Sequence, residues 1–259
     1  MILPTDHRWL PREPDPAPPL RLFCFPHAGA GASTYRPWVP RLAGDGVQVC
    51  PVQLPGRENR FGEPAYQRLE PLLEALVPAL TPSLGKSFAF FGHSMGALVA
   101  FELTRSLRSA ELPAPVHLFV SGRIAPQLRD PRPTLHDQPE SALRAALAGL
   151  GGMPQAVLDH PALMALQLPL IRADLAVNET YRYVPGPPLD VPISAHGGNR
   201  DPKVGEDELR AWEDQAGGDF RARRLPGDHF FVQSSLPLLL HHLLADLDAS
   251  AGWPASRGA

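Results

Sequence analysis

Six short apolar runs bounded by turn residues punctuate the chain: Leu20 to Phe25, Val47 to Leu54, Phe88 to Phe91, Val116 to Ser121, Val191 to Ala195 and, less strongly, Phe220 to Leu225. Near-continuous apolar runs of this length are the signature of strands covered on both faces. Between them lie stretches with helical periodicity, notably Ser94 to Leu107, Glu206 to Gln215 and Ser234 to Leu247. Strands that alternate with helices predict βαβ units, and so an α/β fold with a mainly parallel, twisted sheet flanked by helices. Leucines also recur at helical spacing from Tyr66 to Leu80, but Pro71 and Pro78 predict a broken or kinked helix there.

From Gly122 to Pro188 this rhythm stops, and no convincing strand pattern appears. Connections in α/β units need only a few residues, so the interval is an insertion. Gln138 to Leu150 and Pro161 to Tyr183 carry Leu- and Ala-rich helical patterns, separated by Gly149, Gly151, Gly152 and Pro154. A unit this small struggles to bury a core of its own, which predicts a helical lid over the sheet spanning about residues 123–188. The expected organisation is a disordered or loosely packed N-terminus over 1–19, one α/β domain over 20–249 and a flexible tail over 250–259.

Composition removes several classes of function. The 259 residues hold 24 Lys+Arg against 27 Asp+Glu, a net charge of −3, with no block of like charge. A nucleic-acid partner is therefore not expected. No stretch approaches the 18 or more apolar residues of a membrane span, and the first twenty residues interrupt any secretory core with prolines and charges. The expectation is a cytoplasmic protein with no membrane partner. Gly and Pro, 22 and 32 residues, make up about a fifth of the chain, below the roughly 25–30% of low-complexity sequences. Cys24 and Cys50 sit inside apolar runs and read as buried reduced thiols.

The sharpest chemical signal is Gly92-His93-Ser94-Met95-Gly96, a G-x-S-x-G between a predicted strand and a predicted helix. In a nucleophile elbow the glycines permit a tight strand-to-helix turn that exposes a serine hydroxyl at the carboxyl edge of the sheet. The helix that follows aims its free N–H groups at the place where negative charge develops. A serine hydroxyl is a weak nucleophile at neutral pH, so Ser94 needs a histidine base and a carboxylate to orient that base.

In elbow-bearing α/β-hydrolases the partners follow in the order serine, acid, histidine, which sets aside His7, His27 and His93. His136 and His160 fall in the lid, and His241 and His242 in the terminal helix. His229, in a turn just after the last predicted strand, is the leading base, with His196 as competitor. Asp201 lies in the turn-rich loop after the strand ending at Ala195 and is the leading acid. Asp207 and Asp214 fall on the next helix, and Asp190 precedes the strand. The small-residue loop from Phe25 to Ala32 follows the first strand, so the backbone N–H groups of Met95 and Ala28 form the candidate oxyanion hole.

Further segments carry a resemblance over about Leu20 to Leu247. They are FPHAGA at Phe25 to Ala30, LPGRENR at Leu54 to Arg60, FGHSMGAL at Phe91 to Leu98, SGRIAP at Ser121 to Pro126, LPLIRADLAVNETYRY at Leu168 to Tyr183 and GDHFF at Gly227 to Phe231. Together they resemble the external, type II thioesterases that accompany polyketide and nonribosomal peptide synthetases, within the α/β-hydrolase superfamily. The resemblance implies hydrolysis of aberrant or stalled acyl groups from the phosphopantetheine arm of acyl or peptidyl carrier proteins. Ser94 is then the nucleophile, His229 the base, Asp201 the acid, and the Met95 and Ala28 amides the oxyanion hole.

No metal or cofactor is implied, since the phosphopantetheine belongs to the partner. The chain departs from the family pattern at Asp228, where a second glycine is common, and at Asn199-Arg200, a loop that often carries another acid. Met153, Leu163, Met164, Leu166, Leu168 and Leu170 are expected to line or gate an acyl chamber under the lid, with helix packing as the competing reading. Arg57, Arg60, Arg123 and Arg129 are candidates for docking acidic carrier proteins, with internal ion pairing as the alternative. An oxygen-ester hydrolase, an acyltransferase and a non-catalytic interaction protein are the competing functions.

Overall fold

The computed structural model describes residues 8–12, 14–15, 20–85, 87–150 and 155–250. All six predicted runs form strands: β1 (Leu20–Phe25), β2 (Val47–Pro51), β3 (Phe88–His93), β4 (Leu118–Ser121), β5 (Ile193–Gly198) and β6 (Phe220–Leu225). They pair in parallel in the order β2-β1-β3-β4-β5-β6. Alternation within the strands divides the core. Phe23, Phe25, Phe88 and Phe90 enter the cluster on one face, and Leu22, Cys24, Ala89 and Phe91 the cluster on the other. The weakest pattern belongs to the edge strand β6, whose FRARRL sequence is mostly half-buried.

Helices cover both faces. In chain order they are α1 (Val39–Leu42), α2 (Leu69–Leu80), α3 (Met95–Ser109), α4 (Glu140–Leu150), α5 (Gln155–Leu158), α6 (Pro161–Glu179), α7 (Glu206–Arg210), α8 (Phe231–Ser234) and α9 (Leu236–Asp248). The break expected between Tyr66 and Leu80 does not occur, because α2 runs unbroken through both prolines. Pro71 lies in the first turn, where an N–H has no intrahelical acceptor, and Pro78 lies near the far end, where it removes one hydrogen bond. Burial of Leu69, Leu72, Leu76 and Leu80 along one face outweighs that loss.

Among the described residues between β4 and β5 no strand forms, and α4, α5 and α6 make a helical cap. The cap has a small apolar cluster of Leu143, Leu158, Met164, Leu168, Ile171 and Leu175, against which Ala28 of the main domain packs.

The ends are better anchored than expected where they are described. Trp9 and Leu10 belong to the main core. Trp9 stacks on Tyr66 at 6.5 Å and lies under the Arg60 guanidinium. An isolated aromatic among prolines and charges has no periodicity to reveal such an anchor. At the other end Ser250 is buried, and its hydroxyl meets His117 Nδ1 at 2.8 Å.

Candidate active site

Ser94 joins β3 to α3 with φ 54° and ψ −114°, a left-handed conformation that costs a residue with a Cβ about 1–3 kcal/mol. Its N–H is held by Ser121 O of β4 at 2.7 Å. Both flanking glycines are demanded by close approach. A Cβ on Gly92 would stand 2.0 Å from Gly96 O, and one on Gly96 would stand 2.0 Å from Phe25 O at the end of β1. The turn therefore wedges Ser94 against the loop that leaves β1.

His229 and Asp201 reach Ser94 from the loops after β6 and β5. Those loops are tied together. Asn199 N donates to Leu225 O at 2.8 Å, Arg200 N to Gly227 O at 2.9 Å, and Gly227 N to Asn199 Oδ1 at 3.1 Å. His229 Nε2 lies 3.2 Å from Ser94 Oγ, and its Nδ1 lies 2.8 Å from Asp201 Oδ2. Asp201 Oδ1 accepts the Lys203 N–H at 2.8 Å, so both carboxylate oxygens are engaged. A carboxylate can only accept, so the Asp201 contact suits the His229 tautomer with its proton on Nδ1 and the Nε2 lone pair facing the hydroxyl.

His196 does not compete with His229. It lies within β5, fully buried, in register between Ser121 and Arg223. The strand runs three residues past Ala195 because the backbone of His196, Gly197 and Gly198 continues the ladder with β6. Asp228 is an exposed turn residue whose Oδ1 accepts the Phe230 N–H at 2.8 Å.

Parallel pairing of β1 with β3, with Phe25 opposite Gly92, brings the Ala28 loop beside the elbow. Met95 is the first residue of α3, and neither its N–H nor that of Ala28 meets an acceptor among the described residues. Two further histidines crowd the triad. His93 packs 5.2 Å from the His229 ring and bonds Ser121 Oγ through Nδ1 at 3.0 Å, while His27 lies edge-on to His93. Burial, reinforced by His229 and Arg57, lowers His27 to about 4. Burial, reinforced by His229 and His27, holds His93 well below the ordinary histidine range. Both are therefore neutral near pH 7.

The family model of the thioesterase domain matches residues 20–247, nearly all of the described chain. The chain belongs to the thioesterase family. Its sequence is 42% identical over 216 residues to the gramicidin S biosynthesis protein GrsT of Aneurinibacillus migulanus, covering 83% of this chain and 84% of that protein. Among solved structures it is similar to the RedJ thioesterase of the prodiginine pathway of Streptomyces coelicolor, at 45% identity and TM-score 0.85, covering 91% of this chain and 93% of that one. It is also similar to the type II thioesterase BorB of the borrelidin cluster, at 35% identity and TM-score 0.79, covering 92% and 95%. The thioesterase has the α/β-hydrolase fold of these neighbours.

The four arginines expected at a docking surface separate. In this thioesterase Arg57 is buried in a bidentate pair with Asp174 of α6, both contacts at 2.7 Å. Arg60 is likewise buried, donating to both oxygens of Glu63 and to Gln53 O. Arg123 is half-buried and bonds Asn178 of α6. Those three are internal, and only Arg129 of the four is exposed. Sequence alone does not separate a solvated arginine from one whose carboxylate lies 117 positions away.

The expected chamber residues divide as well. Met164 and Leu168 are buried in the cap's own cluster, which is the competing helix-packing reading. Leu163 is exposed, and Met153 lies outside the described residues. Leu166 and Leu170 line a cavity of about 260 Å³ beside the loop after β1, together with Phe61, Gln167 and Gly29 to Gly31. Sequence reasoning missed Asp174, an acid whose place among the apolar residues of α6 was the available signal. Among the described residues no helix is long and apolar enough to cross a membrane.

Proposed function

We propose that this thioesterase hydrolyses acyl groups from the phosphopantetheine arms of acyl or peptidyl carrier proteins of a polyketide or nonribosomal peptide synthetase, in the cytoplasm, clearing aberrant or stalled units. The observation that carries the chemistry is the unbroken contact chain from Ser94 Oγ through His229 to Asp201, 3.2 and 2.8 Å. The carrier-protein substrate is inferred from the likeness to GrsT and BorB.

In this reading Ser94 Oγ attacks the thioester carbonyl while His229 Nε2 takes its proton, and Asp201 stabilises the imidazolium. The Met95 and Ala28 N–H groups hold the oxyanion. Collapse of the tetrahedral intermediate breaks the carbon–sulfur bond, and the pantetheine sulfur departs, receiving the proton from His229. An acyl-Ser94 ester remains. Water then attacks it, giving its proton to the same nitrogen, and the second collapse returns that proton to Ser94 Oγ and releases a carboxylic acid. The route needs protein groups and water alone, with no metal or cofactor. A thiolate leaves readily, so protonation of the leaving group is less demanding than in amide cleavage.

The test is to load one carrier protein with a series of acyl groups and follow release by intact mass, with Ser94→Ala as control. Short, unextended acyl groups are expected to be released fastest. Inactivity across the whole series, with hydrolysis of matched alkyl esters retained, would instead identify an oxygen-ester hydrolase.

A further inference from the structure

The Arg57–Asp174 pair joins three segments that are distant in the chain. Asp174 belongs to α6 of the cap, Arg57 to the loop after β2, and both grip the loop after β1. Asp174 Oδ2 accepts the Gly29 N–H at 2.7 Å as well as Arg57 Nη1, and Arg57 Nη1 also donates to Ala30 O at 2.9 Å. Gly29 has φ 77°, and a Cβ there would stand 2.9 Å from Ile171 Cγ1 of the same helix. Ala30 N closes a turn onto His27 O at 3.1 Å. Ala28 is therefore enclosed between residues whose backbone groups are fixed on both sides.

A buried ion pair is a weak source of stability, since desolvation offsets most of the attraction and apolar side chains of similar volume often serve as well. What such a pair does supply is orientation. The carboxylate and the guanidinium fork hold a flexible, glycine-containing loop in one arrangement, as a preorganised oxyanion donor requires. We propose that Asp174 and Arg57 are positioning residues that aim the Ala28 N–H at the developing oxyanion, so that the oxyanion hole is complete only while α6 of the cap is seated. This inference rests on the acyl-enzyme reading above. It adds that the cap helix is a working part of the hole as well as a cover.

The experiment compares wild type, Arg57→Lys and the double variant Arg57→Met/Asp174→Leu, which removes both charges and leaves neither unpaired. For each, kcat and KM are measured on a small soluble acyl-pantetheine, with melting temperature, pH dependence and affinity for an alkyl boronate that forms a tetrahedral adduct on Ser94. Losing one oxyanion donor costs about 100- to 1000-fold, so a misaimed one is expected to lower kcat by about 10- to 100-fold in the double variant. KM should change by less than about twofold, boronate affinity should fall in parallel with kcat, and the pH profile should keep its shape because the His229 contacts are untouched. A folded double variant with kcat within about twofold of wild type overturns the proposal, as does a loss confined to KM. Should the double variant not fold, Arg57→Lys decides. It keeps the charge but loses the fork, and wild-type kcat in that protein is equally fatal. An inactive wild-type enzyme sinks the proposed function instead, and the boronate affinities, which need no turnover, then still decide this inference.

Discussion

His27 and His93 meet edge to face beside the triad, their ring centroids 5.7 Å apart. His93 is buried and His27 half-buried, and both are held below the ordinary histidine value of 6.5, His27 at about 4. His117 and His196 share this state, at about 4 and about 3, mainly through burial. Between pH 6.5 and 4 the unfolded chain binds protons that the folded chain refuses. Stability is thus fully present above about pH 6.5 and is lost as pH falls toward the folded values. Each such histidine contributes a slope of about 1.4 kcal/mol per pH unit. Thermal unfolding followed from pH 7.5 to 4.5 should show a steep decline below 6.5, shallower in His196→Gln. A melting temperature flat across that range contradicts the buried neutral histidines.

Asp201→Asn keeps the shape of the triad but replaces an acceptor with an amide that can donate to Nδ1 and favour the wrong tautomer. A fall in kcat of about 10⁴-fold is expected, with KM nearly unchanged. Ser94→Ala should remove the acyl-enzyme altogether. Burst kinetics and intact mass report both, and an acylated Ser94→Ala protein would assign the nucleophile elsewhere.

The glycines make opposite predictions according to their surroundings. Gly96→Ala drives a methyl to 2.0 Å from the Phe25 carbonyl oxygen, a backbone atom that cannot swing aside, and should yield insoluble or unfolded protein. Gly149, an exposed position in α4 with nothing within 4 Å of an added Cβ, should accept alanine with a gain of up to about 1 kcal/mol. Paired melting curves test the contrast.

Carrier proteins are commonly acidic, so a docking arginine has to face solvent. Arg129→Glu should raise KM for carrier-bound thioester several-fold and leave acyl-pantetheine hydrolysis unchanged. Arg60→Glu, by contrast, reverses a buried charge against Glu63 and should lower the melting temperature without any substrate-dependent difference. Equal effects of Arg129→Glu on both substrates argue against docking there.

Asp246 of α9 accepts from Ser194 at 2.7 Å and from both Arg223 nitrogens, and Arg221 also reaches it at 3.2 Å. Removing one partner of such a buried network leaves the other charges uncompensated, so Asp246→Ala should cost about 3 kcal/mol or more. Chemical denaturation checks this, and a cost below about 1 kcal/mol would mean that the arginines find solvent.

Much of this is legible in the sequence. Near-continuous apolar runs located β1 to β5, as strands of a parallel sheet covered on both faces require, while the weaker pattern of Phe220 to Leu225 located the edge strand β6. The elbow pointed to Ser94, and the strand-then-loop position of Asp201 and His229 brought them to the same sheet edge. What stayed hidden depended on long-range partners. Arg57 reads as a surface cation until Asp174 is placed against it, and the packing of Met164 against Leu143 and Leu158 is not visible in their spacing. Trp9 is a further case, an anchor without a pattern. Residue type and spacing encode local structure, whereas the partner of a buried charge is a property of the assembled chain.

His229, the proposed base, lies 135 positions downstream of Ser94. A nascent chain therefore carries the hydroxyl, the elbow and the first four strands long before β5 and β6 deliver the acid and the imidazole. On the proposed mechanism the growing chain lacks its base until almost the last helix emerges, and a proteolytic cut before β6 would remove the imidazole while leaving Ser94 in place.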